Sequence, residues 1–116
     1  MQDLRIQETP LGRISISSLA IAQIAERTVS ECYGVVGIGR GRRAKRMLLL
    51  GRAAGVSVGR SEDGIALALR VFVAYGLNLA EVAATVHSRV SYEVERLTGL
   101  PVASLEVRID GVRGAA

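Results

Sequence analysis

The sequence predicts a two-layer α+β domain in which two helices cover one face of a small mixed sheet of about five strands. The chain has 116 residues, enough for one domain with a single core. Hydrophobic residues make up 49% of it, yet it has no Trp, one Phe and three Tyr, so the core must be aliphatic. Segments of alternating and of helical periodicity follow each other in the order β-α-β-β-β-α-β. We expect a single domain over residues 1–116.

The first elements are an arm, a strand and a helix. Residues 1–11 are mixed in character and are expected to form a flexible arm. The alternation in Gly12–Ser17 predicts a short strand with one apolar face. Ser17 or Ser18 can cap the helix that follows, and helical spacing of apolar residues carries this helix to about Tyr33.

The central region contains short strands on either side of an arginine-rich segment. Val35–Ile38 and residues 55–58 are predicted strands, and residues 39–54 are expected to form a basic loop or a short helix. An Asp63-Gly64 turn then leads into residues 65–75, the clearest strand of the chain. One face of this strand consists of larger apolar residues. The other face consists of Ala66, Ala68, Arg70, Phe72 and Ala74.

The last third of the chain predicts a second helix and a final strand. Asn78 and Glu81 have the spacing of a capping box, and Gly99 with Pro101 ends the helix. The predicted buried stripe of this helix is Ala83, Val86, Val90, Val94 and Leu97. Alternation over residues 105–110 predicts the final strand, with Leu105, Val107 and Ile109 on the inner face.

No catalytic or metal-binding constellation is predicted from these residues. His87 is the single histidine and has no nucleophile placed beside it by spacing, so we interpret it as a residue on the flank of a helix. Cys32 is the single cysteine and lies on the apolar side of the first helix, which is typical of a small core residue. One His and one Cys are too few for a zinc site in one chain. We therefore predict a protein that is not an enzyme and uses no cofactor.

The strongest functional signal is a local concentration of positive charge. The net charge is +4, but residues 32–61 hold seven basic residues and no acidic one. This distribution predicts a basic interaction patch. Its members are Arg40, Arg42, Arg43, Lys45, Arg46 and Arg52. A second predicted contact surface is the free face of the central strand, at Arg70 and Phe72.

Three interpretations of the basic patch remain open. It can be a solvated loop whose neighbouring residues 47–50, Met-Leu-Leu-Leu, pack in the core. It can bind an anionic membrane surface or a partner, because charge beside apolar side chains is typical of peripheral membrane segments. It can also bind nucleic acid, although aromatic residues for base stacking are few. The N-terminus has no signal-peptide pattern, and no apolar run reaches the roughly 20 residues of a membrane span, so we expect a cytoplasmic protein.

The succession of motifs resembles a known family. These motifs are Gly12-x-Ile14-x-Ile16-Ser17, Ile21-Ala22-x-Ile24-Ala25, Glu31, Gly34-Val35, Gly55-Val56, Tyr75-Gly76, Leu79-Ala80-Glu81-Val82-Ala83, Thr98-Gly99-Leu100-x-Val102, Val107 and Gly111-Val112. Their order and spacing resemble the alkaline shock protein family of Gram-positive bacteria, the envelope stress response family of the Asp/Gls type. The resemblance runs from about residue 12 to residue 112.

The resemblance implies a protein without catalytic activity that serves cell-envelope homeostasis and the stress response. It implies protein–protein contact or self-assembly near the membrane, with a membrane-anchored or envelope-associated partner, with other copies of the chain, or with both. The arginine-rich centre and the absence of long charged tails depart from the common pattern. A small nucleic-acid-binding module using residues 40–52 is the alternative function, and no small-molecule substrate is expected.

Overall fold

The computed structural model describes residues 3–10, 12–39 and 55–114. Two helices and six strands are present in this part of the chain. The strands are β1 (Asp3–Thr9), β2 (Gly12–Ser17), β3 (Val35–Ile38), β4 (Val56–Ser61), β5 (Gly64–Ala74) and β6 (Val102–Arg113), and the helices are α1 (Ser18–Ser30) and α2 (Leu79–Thr98). The α+β class predicted from the sequence is confirmed.

The main sheet has four strands, and β5 is at its centre. Along one edge of β5, β6 runs parallel to it over almost its whole length. Along the other edge, β4 pairs with the first half of β5 and β3 with the second half, both antiparallel. The sheet is therefore mixed, as predicted, because α2 carries the chain back to begin β6 at the same end as β5.

The N-terminal region differs from the sequence prediction. Residues 3–9 were expected to belong to a flexible arm, but they form β1, which pairs antiparallel with β2 from Asp3 opposite Ser17 to Thr9 opposite Gly12. The main sheet has four strands, close to the five expected, and β2 belongs to this separate two-stranded sheet. Among the described strands, β2 pairs with its sequence neighbour β1 alone.

Both helices pack on the same face of the main sheet, as predicted. Alternate residues of β5, from Ile65 to Val73, are at most 3% exposed and face this layer. From α1 the core receives Ile21, Ala22, Ala25 and Val29, and from α2 it receives Val82, Val86, Val90 and Val94. The core in the described part of the chain contains no aromatic side chain, and its small and β-branched residues pack the helices closely on the sheet.

Side chains and backbone caps fix the helix ends. The Ser17 hydroxyl accepts a hydrogen bond from the Ala20 amide at 3.1 Å, and the Asn78 side chain accepts one from the Glu81 amide at 3.1 Å. At the end of α2, Gly99 adopts φ 74°, and its amide donates to the Glu95 carbonyl. These caps satisfy backbone groups that the first and last turns leave without helical partners.

The buried stripe of α2 is rotated from the predicted one. Val86, Val90 and Val94 are buried as expected, but Leu97 is 53% exposed. Thr98 is buried in its place, since its hydroxyl donates to the Val94 carbonyl at 2.6 Å and accepts from the Leu100 amide. A threonine whose hydroxyl is satisfied by nearby backbone can occupy a core position that polarity alone would assign to leucine.

Candidate binding surface on the outer face of the sheet

The outer face of the sheet is the face opposite the two helices. The predicted contact residues Arg70 and Phe72 both lie on it, in alternation with the buried residues of β5. Ala66, Ala68 and Ala74 of the same strand are half-buried and present only methyl groups. The outer face along β5 is therefore shallow, and its relief comes from one aromatic ring and the arginines around it.

Phe72 has a glycine on each side. It is opposite Gly37 on β3 and Gly111 on β6. A Cβ atom at position 111 would come within 3.2 Å of the Phe72 ring, so the absence of a side chain there makes room for the ring. The Arg113 guanidinium carbon lies 4.5 Å from the ring centroid, which is a cation–π contact.

Asp110 holds two arginines on the same face. Its carboxylate accepts a hydrogen bond from Arg70 Nε at 2.7 Å, and its other oxygen is 2.8 Å from Arg108 Nε. The carboxylate side chain is only 12% exposed, whereas the arginines are 60% and 67% exposed. One carboxylate thus orients two guanidinium groups that remain accessible to a partner. We call Arg70, Phe72, Arg108, Asp110 and Arg113 the sheet-face patch.

The sequence located part of this patch and missed the rest. Arg70 and Phe72 were predicted because they alternate with apolar residues on one strand. Arg108, Asp110 and Arg113 come from β6, which is about 40 residues away in sequence. The alternating charges of residues 106, 108 and 110 are the available signal, but they do not reveal which strand β6 pairs with.

The predicted basic patch, residues Arg40, Arg42, Arg43, Lys45, Arg46 and Arg52, lies outside the described residues. The residues that flank this segment are described and meet at one point. The Gly39 amide donates to the Arg70 carbonyl at 2.7 Å, and the Arg70 amide donates to the Gly55 carbonyl at 2.8 Å. A single residue normally makes both bonds in an antiparallel ladder, so Gly39 and Gly55 together fill one ladder position opposite Arg70.

The two residues considered for catalysis lie elsewhere. His87 is exposed on α2. Cys32 is 4% exposed, and its thiol donates to the Thr28 carbonyl at 3.4 Å. Burial raises the pKa of the Cys32 thiol; Arg89 opposes this shift and Glu31 adds to it. Within the described residues, no cluster of three or more His, Cys, Asp and Glu side chains could hold a metal ion.

Comparison with known proteins identifies the family. A family model matches residues 6–114, which is nearly the whole chain. The chain belongs to the alkaline shock protein 23 family, which is described as having a cell envelope-related function. The resemblance inferred from the ordered motifs is thereby confirmed. This family is not a known enzyme family.

Three bacterial members of the alkaline shock protein 23 family are similar to the chain. The uncharacterized protein YloU of Bacillus subtilis is 34% identical over 110 residues, covering 90% of this chain and 92% of its own. YqhY of the same organism is 28% identical, with coverages of 92% and 82%. Spy1614 of Streptococcus pyogenes serotype M6 is 27% identical, with 88% of each chain covered.

Solved structures add little to this comparison. Zinc forms of two variants of the MamM CTD align with TM-scores of 0.49 and 0.48 at 15% and 14% identity. They cover 79% and 84% of this chain, and 82% and 85% of their own. Neither helix in the described part of the chain has the length and apolar character needed to cross a membrane.

Proposed function

We propose that the protein is a non-catalytic binding protein that acts at the inner face of the cell membrane. It contacts a membrane-anchored or envelope-associated protein, other copies of itself, or both. Membership of a family with a cell envelope-related function supports the setting. The sheet-face patch supports the mode of action, because aromatic and arginine side chains are enriched at protein interfaces.

The observation that carries the proposal is the arrangement of Phe72 and the arginines on an open face. Phe72 offers an apolar ring, and Asp110 orients Arg70 and Arg108 without burying them. The arginine-rich segment leaves and rejoins the sheet opposite Arg70, at the edge of the same face. Its six basic side chains would add attraction to an acidic partner or to anionic lipid headgroups.

Membrane fractionation of cells producing the tagged protein tests this proposal. Phe72→Ala removes the ring under Arg113, and we expect a smaller fraction of the protein to sediment with membranes. Tyr92→Ala is the matched control, since Tyr92 is an exposed aromatic residue on α2, in the helix layer. Equal loss in both variants, or no loss in either, would contradict a specific role for the outer face.

A vesicle assay tests the contribution of the basic segment. Glutamine at positions 42, 43, 45 and 46 should weaken sedimentation with vesicles that contain anionic lipid, and should not change sedimentation with neutral vesicles. Unchanged binding to anionic vesicles would favour the interpretation of this segment as a solvated loop without a binding role. If the protein instead binds a DNA or RNA oligonucleotide with an affinity that falls steeply with salt, the nucleic-acid alternative is favoured.

A further inference from the structure

One edge of the main sheet is open along β6. Within the described residues, β6 pairs with β5 alone, so its other edge has no strand partner. The backbone amide and carbonyl of Arg70 form hydrogen bonds with Gly55 and Gly39, on the edge of β5 away from β6. The amides and carbonyls of the odd-numbered residues of β5 therefore point toward β6. In the parallel register of β5 and β6, their hydrogen-bond partners include the backbone groups of Glu106 and Arg108. Leu105, Val107 and Ile109 consequently direct their amides and carbonyls to the open edge.

Residues 104–109 of β6 lack two features that often protect an edge strand, a β-bulge and a proline. Irregularities in the pairing lie at its two ends, near Ala103 and Asp110, and residues 104–109 contain no Pro and no Gly. The opposite edge of the sheet is less suitable, because it is divided between β3 and β4 and interrupted at Gly39 and Gly55. A regular edge with unpaired amides and carbonyls is a template for another strand.

The sequence of β6 is self-complementary about Val107. When the strand is paired antiparallel with a second copy at this centre, Leu105 lies opposite Ile109 of the partner subunit on the inner face. On the outer face, Glu106 lies opposite Arg108 of the partner subunit, and two-fold symmetry gives this pair twice. The backbone groups of Glu106 and Arg108 point toward β5, so this is a non-hydrogen-bonded pair across the two copies. Side chains come closest together in pairs of this type, and opposite charges there stabilise a sheet. Glu106 has no ion pair within the described part of the chain.

We propose that two copies of this chain associate through antiparallel pairing of their β6 edges, centred on Val107. The pairing forms about six backbone hydrogen bonds, from the three outward-directed residues of each copy. It joins the two four-stranded sheets into one continuous sheet. This inference rests on the proposed function, because it names the surface through which the protein contacts itself.

Neighbouring registers are disfavoured by charge. A centre at Glu106 would place this residue opposite Glu106 of the partner subunit. A centre at Arg108 would place it opposite Arg108 of the partner subunit and bring Glu106 against Asp110 of the partner subunit. Like charges directly opposite each other destabilise a pair of strands. The Val107 centre alone among these three matches both the charged and the apolar residues.

The pairing would also enlarge the proposed binding surface. A two-fold axis through the paired edges is perpendicular to the sheet, so the sheet-face patches of both copies face the same way. Two weak contacts with one membrane or one multivalent partner then bind together and gain affinity through effective concentration. Because two paired edges bury little area, the dimer should dissociate on dilution.

Charge exchange at the edge tests this inference. Sedimentation velocity over a concentration series should show the wild-type protein in a monomer–dimer equilibrium. Arg108→Glu alone and Glu106→Arg alone each place like charges opposite each other twice, so each should raise the dissociation constant about tenfold or more. An equimolar mixture of the two variants restores both opposite-charge pairs and should dimerise again. Circular dichroism checks that each variant is folded.

Arg89→Glu provides the control for Arg108→Glu, because Arg89 is exposed on α2 and the two substitutions change the net charge by the same amount. It should dimerise like the wild type. Self-association of Arg108→Glu with unchanged affinity, or a mixture that stays monomeric, would overturn the β6 pairing while leaving self-assembly through another surface intact. A wild-type protein that is monomeric at every concentration would overturn both the β6 pairing and self-assembly in general. Loss of membrane sedimentation in Phe72→Ala would still support the proposed function in that case.

Discussion

The ladder position shared by Gly39 and Gly55 gives a quantitative prediction. Gly55 has φ 75°, and a Cβ atom there would lie 2.5 Å from Ile38 Cγ2 and 2.6 Å from the Gly39 nitrogen. Gly55→Ala therefore combines an unfavourable backbone conformation with a collision. The conformation costs about 1–2 kcal/mol, and forcing a methyl group into packed surroundings adds about 1–3 kcal/mol.

Gly99→Ala separates these two costs. Gly99 has φ 74°, nearly the same as Gly55, but nothing lies within 4 Å of its added Cβ. Its substitution should lower the free energy of unfolding by about 1–2 kcal/mol, and Gly55→Ala should lower it by about 2–5 kcal/mol. For a domain of this size each kcal/mol corresponds to roughly 4 °C in Tm. Urea and thermal unfolding followed by circular dichroism measure both. Equal losses in the two variants would refute the close approach of Gly39 and Gly55.

Three further predictions concern the core and the caps. Val90→Ala removes a fully buried side chain and should cost about 2 kcal/mol, whereas Leu97→Ala should cost less than about 0.5 kcal/mol because Leu97 is half-exposed; equal costs in urea unfolding would contradict the observed orientation of α2. Asn78→Ala should cost about 1 kcal/mol and Asn78→Asp much less, because only the latter keeps an oxygen for the Glu81 amide; a stable Asn78→Ala variant would argue against the cap. Cys32 should react with a thiol reagent at neutral pH far more slowly in the folded than in the urea-unfolded protein, since burial raises its pKa and keeps it protonated; equal rates would place the thiol at the surface.

Local sequence was sufficient where one element carries all the information. The alternation in residues 65–75 identified β5 and separated its core face from the face of Arg70 and Phe72. Asn78 and Gly99 marked both ends of α2, because capping depends on a few adjacent residues. Tyr75 is an exception: the predicted strand included it, but β5 ends at Ala74 and Tyr75 is 74% exposed.

The sequence was insufficient for predicting features that depend on which other helix or strand an element packs against. The mixed polarity of residues 3–9 concealed β1, which is a strand because β2 folds back beside it. Leu97 and Thr98 are adjacent on α2, and the rotation of the helix against α1 and the sheet decides which is buried. Helical periodicity limits this rotation to within about one residue, and packing then selects one orientation.

The sequence by itself determined the α+β class, the family, the places of both helices and the strand that carries Arg70 and Phe72. These follow from periodicity, caps and ordered motifs, which operate over a few residues. Only the tertiary structure decided that β6 lies beside β5, so that Asp110 and Arg113 join the sheet-face patch and the Val107 edge is left open. A strand's alternation specifies which of its faces is apolar, but its pairing depends on competition among all the strands for the edges of β5.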